Sequence, residues 1–246
     1  MMNIRDFIDD RKKKKQYAQY SSDKYIELFE KHDKSLQTLL TYYECALMEV
    51  ETKFKVLNAE LALTREYSPI ETIKSRLKTI DSLIEKAHRY DVSPTFQDIE
   101  EKIEDIAGIR VICSFPEDIY QVADIFLQQD DITLINCKDY IKTPKANGYR
   151  SLHLIVSVPI FLEHEKRDMK VEVQFRTIAM DFWASLEHKL KYKKELPPEI
   201  NDRLVEEMLE CATASAELDM KMQNVRRQIT GGTSHIDDAV DLQQWM

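Results

Sequence analysis

The sequence is short of the residues that interrupt helices, with 4 glycines and 7 prolines in 246 positions. That scarcity excludes collagen-like and low-complexity architectures and favours long helices. Cysteine is as sparse: Cys45, Cys113, Cys137 and Cys211 are scattered with no CxxC pair. No zinc site or disulfide framework is spelled out, and each is expected to be a reduced, buried thiol. No apolar run approaches the ~20 residues of a membrane span. Charges at Arg5, Asp6, Asp9 and Asp10 break the N-terminus where a signal peptide needs an apolar stretch. A cytoplasmic protein without membrane attachment is expected. Positive charge is in deficit, 35 Lys+Arg against 44 Asp+Glu, a net charge of −9. That excludes a surface built for indiscriminate nucleic-acid binding, but not local phosphate sites. The run Arg11-Lys12-Lys13-Lys14-Lys15 reads first as a solvated face and second as an RNA or phosphate contact.

What is present organises into a helical start, a mixed middle and a helical end. Leu36, Leu40, Tyr43, Leu47, Val50, Phe54, Leu57 and Leu61 alternate spacings of four and three. This seam predicts one helix over residues 34–66, packed on another helix of the chain or of a partner subunit. His32-Asp33 lies in this helical stretch without a His cluster and is not a metal site. The segment from Ser68 to Tyr90 is ambiguous: Ser68-Pro69-Ile70-Glu71 fits a capped helix start, and Ile70, Thr72, Lys74, Arg76 and Lys78 fit one face of an alternating strand. Helices are expected at 79–89, 96–103 and 116–128, and strands at 109–113, 132–137, 152–160 and 169–175. The last two strands form a hairpin around Glu163–Arg167. A helix over 177–194 follows, with Trp183, Leu186 and Leu190 as core positions. Pro197-Pro198 starts a final helix with apolar positions at Leu204, Met208, Leu218, Met222 and Val225. The pattern is α+β. Expected domains are an N-terminal helical extension (1–67), a central domain (68–195), a C-terminal helix (196–229) and a tail (230–246).

Chemistry concentrates in four segments. On the strand Lys170–Arg176, the alternation sends Val171, Val173 and Phe175 to a core and Lys170, Glu172, Gln174 and Arg176 to the other face. Lys142–His153 joins an Asn-Gly turn, three cations and Tyr149 ahead of a strand. Cations suit phosphates, and the tyrosine offers a stacking surface for a base. Asp105-Ile106-Ala107-Gly108-Ile109-Arg110 places an acid before a strand and an arginine inside it. An acid of this kind suits Mg²⁺ on a nucleotide, where one or two carboxylates and phosphate oxygens share the ion. Lys74-Ser75-Arg76-Leu77-Lys78 adds a basic alternation.

These segments, with Lys138-Asp139-Tyr140 and Phe182–His188, resemble in order the synthetase domain of the RelA/SpoT family, over roughly residues 68–195. The length resembles that of a small alarmone synthetase, without room for the hydrolase and regulatory domains of long members. The resemblance implies an α+β fold with a mixed, nucleotidyltransferase-like β-sheet. It implies transfer of the β,γ-pyrophosphate of ATP to the 3′-hydroxyl of GTP or GDP, in bacterial stress signalling.

Carried onto this chain, it makes Asp105 and Glu172 the catalytic and Mg²⁺-binding acids, with Glu172 also placed to help deprotonate the 3′-hydroxyl. Arg76 and Arg110 would sandwich adenine, while Lys78 and Lys86 would contact ATP phosphates. Tyr149, Lys145, Asn147, His153, Gln174, Lys138 and Asp181 would serve GTP or GDP. Glu187 and His188 would support the Glu172 strand. A homo-oligomer, a tetramer, is expected, and an RNA partner stays open with the Lys12–Lys15 run. A binding module without chemistry is the rival reading, and the paired acids argue against it. A nucleotide-adding transferase would need paired acids two residues apart after a Gly-Ser turn, and that string is missing. The choice between GDP and GTP stays open, as does the regulator.

Overall fold

A computed structural model describes residues 24–29, 31–65, 67–191 and 198–230. The Arg11–Lys15 run and the tail from residue 231 lie outside these. Residues 24–29 are helical. Then follow α1 (Asp33–Thr64), β1 (Ile70–Leu77), α2 (Ile80–Arg89), α3 (Phe96–Lys102), β2 (Ala107–Cys113) and α4 (Pro116–Leu127). The chain continues through β3 (Thr133–Asp139), β4 (Leu152–Phe161), β5 (Lys166–Thr177), α5 (Ile178–Lys191) and α6 (Pro198–Ile229). No described helix is long and apolar enough to cross a membrane.

The five strands form one mixed sheet in the order β1-β2-β5-β4-β3. Only the β2–β5 pair is parallel; the other three pairs are antiparallel. Alternation gives the sheet a closed face and an open face. Ala107, Ile109, Val111 and Cys113 of β2 and Val171, Val173 and Phe175 of β5 are fully or almost fully buried. The residues between them, among them Arg110, Glu172 and Gln174, face the open side.

The closed face is covered by α1. Tyr43, Val50 and Phe54 on its seam are at most 2 % exposed, so little of this stripe is left for a partner. Phe54 stacks on Phe126 of α4 at 4.5 Å and meets Phe175 of β5 edge-on at 5.6 Å. The expected helix-on-helix seam is therefore corrected in part: the stripe lies mainly on the sheet, with Phe54 also against α4. A three-four spacing names the buried face, not the surface that covers it.

Within the ambiguous segment, residues 70–77 form a strand. Pairing with β2 from Ile70 to Leu77 supplies the backbone partners that a helix would have found locally. The Thr hydroxyls of Thr79 and Thr95 cap α2 and α3 by accepting from Ser82 and Asp98 N–H.

The last helix departs most from the pattern. Its inward residues include Ala212, Asp219 and Gln223, while Leu218, Met222, Val225 and Ile229 are exposed. In α5, Trp183 is buried and its indole N–H donates to the Met208 carbonyl, whereas Leu186 and Leu190 are exposed. Two of the three expected core positions of α5 thus face out. The cysteines are free, and Cys113 is buried as expected, but Cys211 is exposed on α6.

Candidate active site

The open face carries a cleft of about 270 Å³ between β1, β2 and β5. Asp105 and Glu172 both line it, with Lys74, Arg76, Arg110 and Gln174. The register explains the gathering. Gly108 pairs with both Arg76 and Glu172, and Arg110 pairs with both Lys74 and Gln174. The three strands thus put their alternate residues on one wall, and Asp105 enters from the turn before β2.

Asp105 is held by two cations. Lys78 Nζ lies 3.0 Å from Oδ2 and Lys86 Nζ 2.7 Å from Oδ1. Burial pushes this carboxyl up, but hydrogen bonding and charge from Lys86 and Lys78 outweigh it and leave the pKa below the ordinary value. Lys86, which reads from sequence as an ordinary helix lysine, is brought to the site by α2.

Glu172 is three-quarters or more buried, its side chain 15 % exposed. Its Oε1 is 3.1 Å from His153 Nδ1, and its Oε2 accepts from Gln174 Nε2 at 2.8 Å. Burial raises its pKa, and the bonds from His153 and Gln174 more than offset this, so the net shift is downward. His153 Nε2 meets Tyr149 Oη at 2.8 Å, and its pairing with Gln174 across β4 and β5 sets His153 beside the strand that carries Glu172.

The loop from Tyr140 to Ser151 forms the next wall. Lys145 Nζ sits 4.5 Å from the Tyr140 ring centroid and 4.8 Å from that of Tyr149. Asn147 accepts from Tyr149 N–H through Oδ1 and donates to Glu187 Oε1 at 3.2 Å. Glu187 thus touches this loop. Gly148 has φ +85°, and a Cβ there would stand 2.5 Å from Ala212 Cβ of α6. Only glycine lets the loop turn and lie this close to the helix. Lys138 is exposed on β3 and pairs with His153 in register.

Asp181 was expected beside the acceptor base. Its Oδ1 accepts from Arg110 Nη1 at 3.1 Å and Arg176 Nη1 at 3.0 Å, and its Oδ2 is 3.4 Å from Lys74 Nζ. It therefore ties the Arg110 side of the cleft to Arg176. Arg76, the partner proposed for Arg110, is exposed at the cleft mouth. Arg176 was not singled out as a site residue. Strand alternation placed it on the Glu172 face, but its hub role depends on Tyr149 and Asp181, which the fold brings from other elements.

The chain resembles known proteins in both sequence and fold. Residues 75–196 match the region found in RelA and SpoT proteins. The GTP pyrophosphokinase YwaC of Bacillus subtilis is 44% identical over 190 residues, 77% of this chain and 90% of that protein. The structure of small alarmone synthetase 1 from Bacillus subtilis bound to its product pppGpp is 32% identical with a TM-score of 0.73, covering 80% of this chain and 99% of that one. The same synthetase bound to AMPCPP gives 30% identity and a TM-score of 0.66, over 80% and 98% of the two chains. The fold and these similarities define a phosphotransferase of the GTP pyrophosphokinase class. The chain belongs to the RelA/SpoT family, and its similarity runs through that family's small alarmone synthetases.

Proposed function

We propose that this chain is a GTP pyrophosphokinase that moves the β,γ-pyrophosphate of ATP to the 3′-hydroxyl of GDP or GTP, giving ppGpp or pppGpp and AMP. One observation carries the reading: Asp105 and Glu172 share one wall of a cleft otherwise rich in Lys and Arg. A site that only binds anions gains nothing from two ionised carboxylates. A metal-bridged polyphosphate does.

The pair fits Mg²⁺, which takes one or two carboxylates and completes its octahedron with phosphate oxygens and water. When bound, the ion would neutralise charge on the transferred group. Glu172 suits the metal better than the 3′-hydroxyl proton, because a carboxylate held low is a weak base at neutral pH. Lys78 and Lys86 exchange Asp105 for the ATP phosphates when nucleotide enters. Arg76 and Arg110 flank adenine with flat guanidinium faces. Tyr149 presents its ring to guanine, with Lys145, Asn147 and Lys138 around the acceptor phosphates. Asp181 orients Arg110 and Arg176. Catalysis by such a site is positioning and charge stabilisation.

The protein assembles as a homo-oligomer, a tetramer. Support comes from Leu218, Met222, Val225 and Ile229, an apolar row on α6 exposed in the single chain. Glu172→Gln tests the chemistry. It should stop product formation while ATP and GDP still bind by calorimetry; retained turnover would remove Glu172 from the reaction.

A further inference from the structure

A second cavity, of about 300 Å³, lies where α1, α3 and the start of β5 meet. It shares no lining residue with the cleft. Its volume is at the lower end for sites that take small molecules. Tyr43 of α1 forms part of the wall. The residue is 2 % exposed, and its hydroxyl has no hydrogen-bond partner among the described residues. Burial pushes its pKa up, so it stays a neutral hydroxyl that can accept or donate. A buried hydroxyl left unpaired costs free energy, and an occupant of the cavity would satisfy it.

The charges around the cavity are unbalanced. Glu100, Glu101, Asp168 and Lys170 line it, and the cations beside these acids are already engaged. Lys170 Nζ donates to the backbone carbonyls of Glu100 and Glu101, at 3.3 and 2.8 Å. Arg167 Nη2 donates to Glu100 Oε1 at 2.6 Å. Glu101 Oε1 accepts from the amide of Gln97 at 2.9 Å, and the Asp168 carboxylate has no partner among the described residues. Glu101 and Asp168 are therefore exposed acids with no cation of the described residues paired to them. Among the described residues, no three acids gather closely enough to hold a metal ion. The missing positive charge belongs to a larger body, with carbon that can rest on the buried Met169.

We propose that this cavity binds a small aliphatic amine cation, whose ammonium groups meet Asp168, Glu101 and the Tyr43 hydroxyl. An ammonium has donors only, and these three groups supply acceptors. The walls run on into the cleft, α3 toward Asp105 and β5 toward Glu172, so the occupant sits beside the supports of both acids. The binding itself does not depend on the pyrophosphokinase reading.

Isothermal titration of the full chain with 1,4-diaminobutane, without nucleotide or Mg²⁺, should give saturable binding. NaCl at equal ionic strength should give none. Asp168→Asn and Tyr43→Phe should each weaken binding roughly tenfold, the loss expected for a hydrogen bond to a charged group. Both variants should fold, because Asp168 is exposed and Tyr43→Phe removes only an unpaired hydroxyl; circular dichroism checks this. Glu172→Gln should bind the amine as wild type does. The proposal is overturned by a lack of saturable binding or by unchanged affinity in either folded variant. Loss of binding in Glu172→Gln also overturns it, by placing the amine in the cleft. Amine binding without pyrophosphate transfer would sink the functional reading alone.

Discussion

Gly148→Ala probes the joint between the acceptor loop and the last helix. Gly148 has φ +85°, where an added Cβ costs roughly 1–2 kcal/mol. That Cβ would also stand 2.5 Å from Ala212 Cβ and 3.2 Å from Leu209 Cδ1. Leu209 can rotate, but Ala212 Cβ is fixed to the helix backbone. Relief requires the loop or α6 to move, at about 1–3 kcal/mol, the range for overpacking. Together these predict a loss of about 2–5 kcal/mol, or roughly 4–20 °C in Tm for a domain of this size. Thermal unfolding followed by circular dichroism reads it. Ala212→Gly alone costs about 1 kcal/mol, as for any glycine in a helix interior. In the double variant the clash is gone but the φ strain stays, so the pair should be more stable than the sum of its single changes by about 1–2 kcal/mol. Because Tyr149 follows Gly148, the single variant should raise the KM for GDP more than that for ATP. A Gly148→Ala Tm within about 2 °C of wild type, or strict additivity, refutes the reasoning.

Three other perturbations follow from the contacts. The folded pKa of Asp105 is depressed, so its ion pairs contribute fully above the unfolded value of about 3.9 and are lost as pH falls through the folded pKa. Lys78→Met/Lys86→Met should therefore lose stability in urea at pH 7, and the gap to wild type should narrow below about pH 4; an equal gap at both ends counts against the pairing. Arg226→Ala should cost about 2–4 kcal/mol in Tm-derived stability, because Asp118 is wholly buried and loses a cation 3.0 Å away. Adding Asp118→Asn should recover part of that loss, and no recovery would mean that the ring stacking of Arg226 on Tyr67 and Phe115 carried the effect. Leu218→Glu/Val225→Glu should shift the protein toward the 29.0 kDa monomer by light scattering; a wild type already monomeric at micromolar concentration refutes the oligomer.

The sequence revealed most where one face of an element is apolar. β2, β4 and β5 and the helices between them were readable because burial leaves a period. β1 was not, since Ser68-Pro69 carries a helix-start signal and most of Ile70–Leu77 is exposed or half-exposed. The seam of α1 showed its buried face but not the sheet beneath it. The inward face of α6 was invisible for a different reason. Asp219, Gln223 and Arg226 are held by Thr177, Glu117 and Asp118 from elsewhere in the fold. No hydrophobic period marks a buried polar residue whose partners are distant in sequence. The same holds in the site: Asp105, Glu172 and His153 stood out by motif and alternation, whereas the joining role of Arg176 and the place of Asp181 depend on tertiary contacts.

The central claim is a pyrophosphate transfer on two acids. Purified protein is incubated with Mg²⁺, ATP labelled on its γ-phosphate and either GDP or GTP, and the products are separated by chromatography. The account predicts a new labelled guanosine species with one AMP formed for each, absent in Glu172→Gln. Folded wild-type protein that labels neither acceptor across a range of Mg²⁺ concentrations would contradict it and leave a nucleotide-binding module in its place.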